Sequence, residues 1–369
     1  MNSKIYLSIT AISALLTSCS LAETYENENA PQLSFSPLIR DGITKATNGS
    51  SESDGLTSFL HPDFVIFASG TKQESFAASL SPFTWIYHSM IATDGASWGY
   101  SPGAHVSEYY FDTWDPDGMH SFFAFAPYKA AHEANINTEM GHAPAMRYAV
   151  PTMDITAGYD LMYASSMDIE GNQYPDNAPQ GEPYPDGGRV TMNFEHALTQ
   201  IMVTFKVKNA TAFFATYPDA TVTINSVGFS PMQPNGTLAF QTDGQAKWIL
   251  EANIAPYSWI VTNDNVLNAA NVAIGAKPFP TRAGHIALIM PQLLPQNTTL
   301  NFQYAYNGVT TDQSLEINNN IPHYTFEMGK RYHFVIEFTP TGGEPPMLKK
   351  IFIENWRQYS GNINGTLEQ

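Results

Sequence analysis

The chain has 369 residues, 43% of them hydrophobic and only 14% charged, where ordinary soluble proteins carry about 25% charged residues; that balance excludes intrinsic disorder, which needs few apolar groups and dense charge. Its 17 Lys and Arg against 34 Asp and Glu give a net charge of −17, a surface that repels phosphate backbones, so no nucleic-acid partner is expected. The single cysteine, Cys19, excludes a disulfide framework, a Cys-based zinc site and a CxxC redox pair, and the length allows two or three domains.

Met1 to Ser20 reads MNSKIYLSITAISALLTSCS, with one positive charge at Lys4 and an apolar run from Ile5 to Leu16. This pattern predicts a signal peptide over residues 1–18, too short to span a bilayer as a helix. Leu16-Thr17-Ser18-Cys19 resembles the lipobox of bacterial lipoproteins, which implies cleavage before Cys19 and lipidation of that residue. Acyl chains such as palmitate contribute roughly 0.8 kcal/mol per buried methylene, enough for a stable anchor when several are attached. Residues 19–31, with the acidic stretch Glu23 to Glu28, are predicted to be a solvated tether on an outer-membrane lipoprotein.

From about Gln32 onward, short runs of Val, Ile, Phe, Tyr and Thr are separated by Gly, Pro, Asn, Asp and Ser, the punctuation of an all-β protein. Predicted strands begin at Gln32 to Ser36, Phe64 to Ser69, Ser121 to Ala126 and Leu161 to Ser165. They continue through Arg189 to Phe194, Thr199 to Lys208 and Thr221 to Ser230, then Ile286 to Met290, Leu300 to Tyr306 and Tyr332 to Phe338. Ile201-Val203-Phe205-Val207 and Tyr332-Phe334-Ile336-Phe338 alternate with period two, which puts one face of each strand on a core. Few helices are expected, with candidates at Lys129 to Met140 and Val266 to Ile274. The Pro/Gly-dense stretch 171–188 reads as a linker between sandwiches at 32–170 and 189–369, with a long surface loop inside one domain as the alternative.

Chemistry is sparse. There is no GxGxxG, P-loop or GxSxG, and His132-Glu133 lacks the second His of HExxH, so no cofactor, metal or enzymatic activity is expected. Glu139 and His142 are broken by Gly141, and Asp115-Pro116-Asp117-Gly118 reads as a tight turn because no terminal carboxylate follows. Glu195-His196 has the look of a base beside an orienting carboxylate, but no nucleophile accompanies it, and a structural role is expected. Trp85, Tyr87, Trp98, Tyr100 and Trp114 keep a glycan-binding surface open as a second reading.

A series of phrases then points to one family. LSFS (Leu33 to Ser36) and Arg40 are followed by PDFVIFAS (Pro62 to Ser69), Trp114 with FFAFAP (Phe122 to Pro127) and DLMYAS (Asp160 to Ser165). VTMNFEHALTQIMVTFKVKN (Val190 to Asn209), VGFSPMQPNGTLAF (Val227 to Phe240), ALIMPQLL (Ala287 to Leu294), GKRYHFVIEF (Gly329 to Phe338) and IFIENW (Ile351 to Trp356) follow in order. Together they resemble the fimbrillin family of Gram-negative anaerobes, subunits of type V pili and their relatives.

The resemblance implies two tandem transthyretin-like Greek-key β-sandwiches with few short helices, in a pilus subunit or fimbrillin-like accessory protein of the cell surface. It further implies head-to-tail assembly with other pilin subunits by donor-strand exchange. A protease, typically Arg-specific, cuts in the loop after the first strand, and the strand leaves an apolar groove. In this sequence Leu33 and Phe35 are the expected plug residues, Arg40 the cleavage site and Lys45 the fallback. Arg40 is the first arginine, and the next is Arg147. The segment after the Gly342 to Pro346 break, with Ile351, Ile353 and Trp356, is the candidate donor strand. Adhesion to a host or bacterial surface protein or glycan is the expected outcome. The alternative is a glycan-binding surface lipoprotein that does not polymerise.

Overall fold

The alternating runs form strands, as expected, in the computed structural model. It describes residues 34–39, 63–71, 74–79, 82–93, 98–105, 118–127, 135–137, 142–150, 160–170, 189–261, 265–274, 286–317, 321–342 and 344–355. The protein is all-β, with one α-helix among these residues.

The first half contributes β1 (Ser34–Ile39), β2 (Asp63–Thr71), β3 (Phe83–Thr93), β4 (Trp98–His105), β5 (Met119–Ala126), β6 (Ile136–Asn137), β7 (Ala145–Ala149), β8 (Met162–Glu170) and β9 (Arg189–His196). Seven of them close into a ring in the order β1-β4-β3-β2-β5-β8-β9. Neighbours are antiparallel except at the closure, where β9 runs parallel to β1.

Period two explains how this ring is filled. Phe64, Ile66 and Ala68 of β2, Phe122, Ala124 and Ala126 of β5, Met162 and Ala164 of β8, and Val190, Met192 and Phe194 of β9 share one apolar cluster. The intervening Val65, Phe67, Phe123, Phe125 and Tyr163 belong to a second cluster that extends through the rest of the molecule. Strands covered on both faces need no polar alternation, which is why FFAFA reads as a continuous apolar run.

The second half begins with β10 (Thr199–Val207), α1 (Ala210–Thr216), β11 (Val222–Met232), β12 (Asn235–Phe240), β13 (Ala246–Leu250), β14 (Ala255–Ile260), β15 (Val266–Leu267) and β16 (Ala273–Ile274). It ends with β17 (Ile286–Ile289), β18 (Gln292–Leu293), β19 (Thr299–Tyr306), β20 (Val309–Glu316), β21 (Thr325–Phe326), β22 (Lys330–Phe338) and β23 (Met347–Asn355). One sheet runs β16-β10-β22-β23 and the other β14-β11-β19-β20. The two alternating runs meet as a parallel pair, β10 on β22. Their inward residues pack on the other sheet: Phe205 lies 4.9 Å from Phe302, and Tyr304 lies 4.9 Å from Phe338, ring centre to ring centre.

Two sequence expectations are corrected. Val266 to Ile274 is not a helix but the strands β15 and β16. The Asn268 side chain accepts hydrogen bonds from the N–H groups of Ala270 and Asn271, and such local bonds favour a turn over a helix. Within Lys129 to Met140, Ile136–Asn137 forms a strand on β7. The α-helix among the described residues, α1, is a seven-residue ATAFFAT segment that buries Phe214. So short a helix depends on packing, and its Thr and Phe residues carry no helical signal.

The halves are joined by more than the covalent chain. β6 and β7 pair with the hairpin β12-β13 in one four-stranded sheet, and Phe240 of that hairpin packs 5.1 Å from both Phe123 and Phe125. At the hairpin turn Gly244 has φ +80°, its carbonyl accepts a 2.8 Å bond from Ser165, and an added Cβ would lie 2.6 Å from Met167 Cγ. Gly244→Ala is therefore expected to cost about 2–3 kcal/mol in urea unfolding, from left-handed strain plus crowding. Gly308, at φ +83° with nothing near its absent Cβ, is the control, since Gly308→Ala carries only the backbone part, about 1 kcal/mol. Equal losses in the two variants would contradict the docking of this turn on β8.

Candidate functional site: the first and last strands

β1 reads SFSPLI, a strand of six residues with a proline inside it. Proline has no N–H and is kept to strand edges, ends or bulges. β1 has a ladder on each side, to β9 and to β4. Against β9 the register is continuous, from Ser34 opposite Arg189 to Ile39 opposite Phe194. Against β4, Phe35 lies opposite Trp98. β1 is also the strand that closes the ring, so its removal would separate β9 from β4 and open the cluster holding Val190, Met192 and Phe194.

β23 is a nine-residue edge strand whose ladder neighbour is β22. Ile351 lies opposite Phe334 and Ile353 opposite Tyr332, so both are on the core-facing side. Ile351 is half-buried against the main cluster, and Ile353 is 39% exposed. A register shift near Ile336 leaves Lys349 as the extra residue, and its ammonium reaches Glu337 at 3.0 Å. Lys330 donates a 2.6 Å bond to Asn355 at the other end of the pair. These are solvent-accessible contacts of small worth. The strand is held chiefly by its ladder and by Leu348 and Ile351, which pack against the main cluster.

Of the residues singled out from sequence, Phe35, Ile351 and Ile353 therefore lie on the first and last strands. Cys19, Leu33, Arg40, Lys45, Trp114 and Trp356 lie outside the described residues. Trp85 and Tyr87 sit on β3, and Trp98 and Tyr100 on the adjacent β4, with Tyr100 opposite Ile91. Among the described residues no group of three His, Cys, Asp or Glu side chains is placed to hold a metal ion, and no helix is long and apolar enough to cross a membrane.

His196 pairs with a different carboxylate from the one its sequence neighbour offers. Successive strand residues point to opposite faces, so Glu195 turns away and accepts a 3.0 Å bond from the Tyr163 hydroxyl. The His196 Nδ1 instead meets the carboxylate of Asp160, at 3.0 Å from Oδ1 and 2.9 Å from Oδ2, with side chains only 3% and 9% exposed. Burial pushes the nearby Tyr148 phenol up, with the charge of Asp160 adding to the shift. Two important residues were thus passed over in the sequence. Pro37 was visible as a proline in a strand run, whereas Asp160 appeared only as the first letter of DLMYAS.

A fimbrillin-like family model matches residues 58–356. Several solved structures share the fold at low identity. A candidate cell adhesion protein of Bacteroides ovatus is 16% identical with a TM-score of 0.55, covering 90% of this chain and 99% of its own. A fimbrial protein of Bacteroides vulgatus is 15% identical with a TM-score of 0.54, covering 88% and 99%. A candidate cell adhesion protein of Bacteroides uniformis is 13% identical with a TM-score of 0.50, covering 89% and 99%. None of the curated proteins compared matches the chain.

Proposed function

The chain belongs to the fimbrillin-like family, and on that premise we propose that it is a fimbrial subunit, exported as a lipoprotein and assembled by protease-triggered strand exchange. Cys19 carries the lipid and holds the precursor on the outer membrane. A protease cuts after Arg40, with Lys45 as the second choice. β1, with Leu33 just before it and Phe35 within it, gives up its place beside β9. The last strand of another copy, presenting Ile351, Ile353 and Trp356, then takes that place. Each copy gives a strand at one surface and receives one at another, so the contact is heterologous and open, and it generates a filament. The division into two sandwiches is kept in this reading, with β9 completing the ring of the first.

The observation that carries the proposal is the place of β1, a short proline-containing strand just before Arg40, as the strand that closes an apolar ring on β9. Adhesion follows as the work of the filament, on a surface protein or glycan. Trp85 and Tyr87 on β3 and Trp98 and Tyr100 on the adjacent β4 are the residues on which the non-polymerising glycan-binding alternative rests.

The test is to treat the mature protein with an Arg-specific protease and follow its size by light scattering. Wild type is expected to grow into oligomers once the Arg40–Asp41 bond is cut. Arg40→Ala is expected to stay monomeric, or to grow only when Lys45 is cut. Cut wild type that remains monomeric would overturn the polymerising role.

A further inference from the structure

β13 brings Trp248 and Leu250 to one cavity, and the paired strands β18 and β21 bring Leu293, Phe326 and the adjoining Glu327 and Met328 to meet them. The space they line is open and measures about 350 Å³. That is the lower end of the range for ligand pockets, with room for one side chain or a small group. We propose that it is a docking pocket for an arginine side chain presented by a partner polypeptide.

The walls are held in place by the fold itself. Trp248 Nε1 donates to Ala197 O at 2.6 Å, which pins the edge of the indole while the ring lines the cavity. Phe326 is fully buried and Leu293 is 66% exposed, so the cavity runs from the core to the surface. The Thr199 hydroxyl donates to Glu327 O, and the Glu327 N–H donates to the Tyr332 hydroxyl at 3.1 Å, so both backbone groups of this residue are fixed.

The polar groups choose the occupant. The Gln292 amide is already engaged, donating to Gln233 O and Met290 O and accepting from the Gln233 N–H, and the Thr325 hydroxyl donates to His323 O. Among the described lining residues Glu327 is the one ionisable group, and it is exposed. None of them is Lys or Arg: Lys247 takes the opposite face of β13 from Trp248, and Lys330 reaches Asn355. A sugar would need several convergent polar groups. An arginine needs one carboxylate, an apolar wall for its methylenes and an aromatic face for its guanidinium. The net charge of −17 favours the approach of such a cation. None of the exchanged strands contributes to this pocket, so arginine docking and strand exchange stand or fall separately.

The mature protein carrying 5-fluorotryptophan is titrated with Nα-acetyl-arginine methylamide and followed by fluorine NMR, with Trp248→Phe assigning the Trp248 signal among the six tryptophans. That signal is expected to shift saturably, with a dissociation constant on the order of a few millimolar for so small a ligand. Affinity is expected to fall about tenfold for the citrulline analogue, which keeps the shape and lacks the charge, and about tenfold again for the arginine probe on Glu327→Gln. The citrulline comparison uses wild type, so it decides the matter even if Glu327→Gln is unstable. No shift with the arginine probe, or equal binding of the citrulline analogue, overturns the proposal. A larger shift with methyl glucoside than with the arginine probe also overturns it, by making the pocket a glycan site.

Discussion

Replacing Asp160 with alanine is expected to lower the stability of the protein by about 3–5 kcal/mol, as for other buried pairs that lose one partner. The carboxylate accepts from His196 Nδ1 at both oxygens, and neither side chain has water to replace the other. Position adds to the effect. His196 ends β9, and the next residues tie the ring to the second half: Ala197 N–H donates to Leu161, Trp248 Nε1 donates to Ala197 O at 2.6 Å, Gly329 N–H donates to Leu198, and the Thr199 hydroxyl donates to Glu327 O at 2.7 Å. A shift of His196 is thus transmitted to every one of these bonds. Asp160→Asn keeps an acceptor and should cost less, about 1–2 kcal/mol. Urea unfolding of the two variants checks both figures. An alanine variant within about 0.5 kcal/mol of wild type, the range of neutral surface changes, would show that the pair is dispensable.

The second large effect is on assembly. Ile351→Asp combined with Ile353→Asp is expected to abolish oligomer growth after cleavage, a loss of at least about 100-fold in the rate of size increase, because an aspartate buried in an apolar groove has no partner. Ile353 is 39% exposed at home, so Ile353→Asp alone should fold normally and slow assembly in part. That variant separates a donor role from a packing role. The single variant would contradict the donor role by assembling at the wild-type rate with its stability unchanged. The pair is deliberately placed on the core-facing side, since polar changes at the outward-facing residues of an edge strand leave its packing intact.

Most of the architecture was legible where period two was clean. Ile201 to Val207 and Tyr332 to Phe338 are the central parallel pair, and their inward residues are the ones the alternation selects. Phe122 to Ala126 was legible as a strand but not as one covered on both faces, because a continuous apolar run does not say what lies on either side. The closure of the ring by β9 on β1 was not legible at all: it joins strands far apart in sequence, and nothing in Arg189 to Phe194 names Ser34 to Ile39 as its partner. This placement also puts β9 on the first-half ring, although the Pro/Gly-dense stretch before it suggested a boundary there. At the candidate site, the first strand was legible from its apolar run and its exchange role only from the family resemblance, whereas the partner of His196 required three dimensions, because adjacency in sequence puts Glu195 on the wrong face.

The central claim, that one copy gives a strand and another receives it, is tested most directly by mixing two chains that are each defective in one role. Ile351→Asp/Ile353→Asp protein, cut after Arg40, has a groove to fill and no competent donor. Uncut Arg40→Ala/Lys45→Ala protein has a donor and a closed groove. Measured by light scattering, each alone is expected to stay monomeric, and the mixture is expected to form a 1:1 complex and stop. A mixture that stays monomeric, or growth of either chain alone, would contradict the account.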